Sequence, residues 1–103
     1  MKELREELQN LASRVTEIDN RQLEILKELQ DMCESLNLPK YSSWLECTKQ
    51  LRGYAKRYVY NNENWTYEGR AEYLYAENCE LRGKLELLLE LRHILEEYTE
   101  EGK

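Results

Sequence analysis

Between Tyr41 and Tyr67 the chain gathers seven of its ten aromatic residues: Tyr41, Trp44, Tyr54, Tyr58, Tyr60, Trp65 and Tyr67. The same stretch holds the cations Lys49, Arg52, Lys56 and Arg57. Arginine beside tyrosine or tryptophan is the composition of protein-binding hot spots. It is also the composition of nucleotide and single-strand sites, where rings stack on bases and cations meet phosphates. Two binding chemistries follow: capture of a macromolecular partner, or of a small phosphorylated ligand such as a nucleotide. The expected binding residues are Lys49, Arg52, Lys56, Arg57, Tyr54, Tyr60 and Trp65. A chain without Phe must also fill its core with some of these rings.

Catalytic chemistry finds little to work with. His93 is the only histidine, and a lone histidine builds no metal cluster. Its neighbours Glu90, Glu96 and Glu97 read as helix-surface acids, and a cation near a helix C-terminus is favourably placed. The run Glu96, Glu97, Glu100, Glu101 reads as a solvated helix end. Cys33, Cys47 and Cys79 form no CxxC pair, which reads as reduced thiols in a cytoplasmic setting. Cys33 and Cys79 lie by apolar stripes and are expected as small core residues. The expectation is therefore no enzyme, no cofactor and no metal.

Net charge is −6, distributed unevenly. Residues 1–36 carry five basic and nine acidic groups, residues 37–62 five and one, residues 63–103 five and eleven. A basic segment thus lies between two acidic ones. It either balances its neighbours inside the fold or offers a face to an anionic partner. The overall balance disfavours nucleic acid as that partner. A helix-turn-helix reading fails on charge, because its recognition helix would present Glu63, Glu68 and Glu72 to phosphates. The charged start from Lys2 reads as no signal peptide, and apolar runs of a few residues give no membrane span.

The elements that must position these residues are helical. Leu4, Leu8, Leu11, Val15, Ile18, Gln22, Ile25, Leu29, Met32 and Leu36 alternate at spacings of four and three. That ladder is a coiled-coil seam, and it predicts helix 1 over Lys2–Leu36, about 50 Å long. Leu23, Leu26 and Cys33 widen the stripe in its second half, which is expected to join the core. The narrow first half, about residues 1–22, is expected to protrude and pair with another chain. Leu4 to Ile25 are then the oligomerisation residues, with Gln22 fixing register. Asn37-Leu38-Pro39 ends helix 1. Ser43 three before Glu46 makes a capping box for helix 2, predicted over Trp44–Tyr60. Its inward face would carry Trp44, Leu51, Ala55, Tyr58 and Val59, and it would tolerate Gly53. Asn61–Asn64 reads as a turn. Helix 3 starts at Asn64 or Thr66 and runs to about Tyr98 or Glu100, with Glu-Gly-Lys as a frayed tail. It carries one stripe of Leu74, Leu81, Leu85, Leu88 and Leu95, and an adjoining one of Leu87, Leu91, Ile94 and Tyr98. A face that wide must touch more than one neighbour.

The fold class expected for the 103 residues is all-α: one three-helix domain with a long N-terminal coiled-coil helix. A chain this small buries a limited core, which favours homo-oligomers, here a dimer. The expected function is non-catalytic: an oligomeric adaptor or inhibitor of a protein partner, one version being a phage or mobile-element inhibitor of a host system. The small, acidic, Tyr-rich composition suits a bacterial or bacteriophage accessory protein. The alternative is an oligomeric nucleotide binder using the basic-aromatic site.

Overall fold

The computed structural model describes the backbone of residues 2–101 and the side chains of residues 2–98. Gly102, Lys103 and the side chains of Glu100 and Glu101 lie outside that set. The chain is mostly helical, in the order α1 (Lys2–Ser35), α2 (Trp44–Leu51), β1 (Arg57–Tyr60), β2 (Glu63–Thr66) and α3 (Tyr67–Glu101). The all-α expectation is thus corrected by a small antiparallel β-hairpin.

Helix α1 ends as its ladder predicts, one residue early. Asn37 is left-handed at φ 60°, and Leu38 N–H donates to Cys33 O at 2.8 Å. Asn37 N–H donates to Glu34 O at 3.0 Å. This is a Schellman stop, with Leu38 packed against the core as its hydrophobic contact. Helix α2 starts as expected, with Ser43 Oγ accepting from Glu46 N–H.

Helix α2 does not continue to Tyr60. Gly53 sits at φ 90°, a conformation that costs any L side chain, and the helix closes at Leu51. Ala55, expected on an inward helical face, is exposed in the connection that follows. The next residues, Arg-Tyr-Val-Tyr, pair as a strand, and Tyr58, Val59 and Tyr60 are the aromatic and β-branched types that strands favour. Asn61 and Asn62 both take positive φ, 49° and 66°, which is the two-residue hairpin turn of the I′ type. Glu63 and Asn64, expected within the turn, belong to β2 instead. The register pairs Arg57 with Thr66, Tyr58 with Trp65, Val59 with Asn64 and Tyr60 with Glu63. Thr66 then caps α3, its Oγ1 accepting from Gly69 N–H at 2.9 Å. A Cβ on Gly69 would approach that same Oγ1 to 2.9 Å, so glycine leaves room for the cap.

Helices α1 and α3 pair antiparallel, a direction fixed by two cross-links. Arg21 binds Glu77, and Arg70 binds Glu28. Beside α2 the pair is sealed: Ile25, Leu29, Met32 and Cys33 pack with Cys47, Leu51, Ala71 and Leu74. Trp44 Nε1 donates to Gln22 O at 2.9 Å and ties α2 to α1. The first half of the α1 ladder, expected to protrude toward another chain, lies along α3 of its own chain. Leu11 is buried and borders one hollow with Leu91 and Leu95, and Ile18 borders the next with Leu87 and Leu88. Residues 2–22 are therefore one helix of a two-helix arm in a molecule 59 Å long. No described helix is long and apolar enough to cross a membrane.

Candidate functional site

The basic-aromatic stretch divides into an inward and an outward set, and the hairpin's two-residue alternation makes the division. Tyr58, Tyr60 and Trp65 face α3, while Arg57, Val59, Asn64 and Thr66 face out. The inward rings surround Arg70, which is only 5% exposed. Its guanidinium lies 4.2 Å from the Tyr60 ring centroid, 5.1 Å from Trp65 and 5.5 Å from Tyr73. These are cation–π distances. Arg70 also grips Glu28 with two bonds, Nε to Oε2 at 2.7 Å and Nη2 to Oε1 at 3.1 Å. Tyr58 Oη donates to the same Oε2 at 3.2 Å. Tyr67 stacks obliquely on Tyr58 at 5.0 Å and shares a hydrogen bond with Ser35.

Electrostatics follow from this enclosure. The bond to Glu28 raises the Arg70 guanidinium above its ordinary value. Burial, reinforced by the Glu28 charge, raises the Tyr58 phenol. Farther along the pair, the hydrogen bond from Arg21 lowers the Glu77 carboxyl. Cys33 and Cys47 are both buried, and burial pushes the Cys33 thiol up to about 11. Cys79, expected in the core, is exposed.

The outward cations fare differently from one another. Lys40 pairs with Glu34, Lys49 with Glu46 and Arg52 with Glu72. Arg57 donates to the neutral Asn64 Oδ1. Among the described residues, Lys56 and Arg57 make no ion pair with a carboxylate. Tyr54 and Val59 are also exposed. Of the seven residues expected to bind, Lys56, Arg57 and Tyr54 are thus exposed and outside both the ion pairs and the ring cluster. Lys49 and Arg52 are engaged with acids, and Tyr60 and Trp65 are engaged with Arg70.

Glu28, Arg70 and Tyr73 were not expected at this site. No local motif announces them, since Glu28 and Arg70, 42 positions apart, meet only through the register of two helices. His93 stands exposed and pairs with Glu97 at 3.1 Å. Among the described residues, no group of three or more His, Cys, Asp or Glu is arranged to hold a metal ion. Comparison with protein-family models, with curated proteins and with solved structures returned no match.

Proposed function

We propose that the chain is a non-catalytic interaction protein, an oligomeric adaptor or inhibitor, whose outward hairpin face engages an acidic surface of a protein partner. One observation carries the reading. Of the five cations in residues 37–62, three are paired with carboxylates, whereas Lys56 and Arg57 have no such pair among the described residues. Exposed charges add little to folding but steer and align association with an oppositely charged surface. Val59, on the same face of β1 as Arg57, supplies apolar contact. The nucleotide alternative loses support, because the rings that would stack on a base are already packed around Arg70.

The test is capture from the native host on immobilised chain, comparing wild type with Lys56→Glu/Arg57→Glu. A protein retained by wild type and lost by the variant, at unchanged circular dichroism, supports the reading. Equal retention contradicts it. A rise in melting temperature with nucleotide would restore the alternative.

A further inference from the structure

Helix α3 carries two apolar seams, and its own chain covers one. Ala71, Leu74, Asn78, Leu81, Leu85, Leu88, Arg92 and Leu95 step at alternating spacings of three and four, every one at least half-buried. The adjoining stripe steps at four, three and four: Leu87, Leu91, Ile94 and Tyr98. Those side chains are 68%, 46%, 54% and 70% exposed. A second seam on one helix is the mark of a bundle with more than two members. Contiguous apolar exposure of this kind marks an interaction site.

We propose that a second copy of the chain covers this stripe, with the two α3 helices antiparallel and the two-helix arms forming a four-helix bundle. The inference rests on the oligomeric part of the function proposed above and names its surface. Charge selects the occupant and its direction. The Leu87 end of the stripe is flanked on α3 by Lys84, which shares its hollow with Arg14 and Glu17 of α1. The Tyr98 end is flanked by Glu97, in the acidic last turns of α3. A parallel copy would set like charge on like. An antiparallel copy centred beside Leu91 seats Leu87 on Ile94 of the second copy and, in the same register, Lys84 against its Glu97. The hollows beside Leu11 and Ile18, between α1 and α3, then receive the second copy's side chains as knobs in holes.

The experiment is sedimentation equilibrium of the full chain from micromolar upward, with three variants. Wild type is expected at twice the chain mass. Leu87→Glu/Ile94→Glu should weaken the dimer about a hundredfold while keeping helicity, because both side chains lose an apolar contact made only in the dimer. Lys84→Glu should weaken it several-fold, and Lys84→Glu/Glu97→Lys should recover the loss. A wild-type monomer throughout the range overturns both this inference and the oligomeric reading. A wild-type dimer unchanged in Leu87→Glu/Ile94→Glu overturns the stripe alone. If that double variant loses helicity, the charge exchange decides: absence of recovery rejects the antiparallel pairing.

Discussion

The two ends of the α1–α3 pair carry the same heptad pattern and reach different packing. At the hairpin end, α2 and the two strands lie across the helices. Ile25, Leu29, Met32, Ala71 and Leu74 are sealed there, and the ion pair Glu28–Arg70 is enclosed in rings. At the far end only two helices are present. Leu4, Leu8, Val15 and Ile18 are half-buried, and Leu87, Leu91, Ile94 and Tyr98 stay open. A heptad stripe therefore states that a helix has a partner, while the number of elements that arrive decides how dry the seam becomes.

That contrast breaks most readily at its tightest point. Arg70→Ala leaves Glu28 buried without its partner and empties the ring of Tyr60, Trp65 and Tyr73. Removing one member of a buried pair costs about 3–5 kcal/mol. Urea unfolding should show a loss of that order, and a loss under about 1 kcal/mol would mean that water reaches the pair. The next effect sharpens the comparison directly. Leu29→Ala should cost about 3 kcal/mol, and Leu88→Ala about 1 kcal/mol, because a half-buried leucine loses less burial and leaves a smaller void. Equal costs would show that the far end is as well packed as the near one.

The smallest effect is a pH dependence confined to the hairpin end. The Tyr58 phenol is raised above its ordinary value of 10.0 by burial. A raised group favours its protonated form in the folded state, so its contribution is whole below pH 10 and is lost as pH climbs through the folded value. The melting temperature should fall as pH rises above about 10, and Tyr58→Phe should flatten that part of the profile. An unaltered profile would assign the alkaline loss to other groups.

The long helices were legible because nine ladder positions in α1 and two stripes in α3 reinforce one period. The stop at Gly53 was not. A glycine inside an apparent helical face reads as tolerated until its φ of 90° is known. Tyr58-Val59-Tyr60 is too short for an alternating pattern to outweigh a helical one, although Asn61-Asn62 favours a hairpin turn. At the site, composition pointed to Lys56 and Arg57, but it could not separate them from Arg52, whose acid Glu72 is twenty residues away. Arg70 stayed hidden because its enclosure depends on which face of the hairpin turns inward. The α1 ladder announced a coiled coil without naming its partner, because α3 of the same chain and a helix of another chain present the same seam.

In the dimer proposed above, the hairpin end closes within one chain and the far end closes only against the second copy. Amide hydrogen exchange at two protein concentrations measures this most directly, since protection reports local opening. At low concentration, amides of residues 85–98 should exchange much faster than those of residues 70–78. Raising the concentration should slow the first group and leave the second unchanged. Equal protection at both ends, indifferent to concentration, would rule out that dimer.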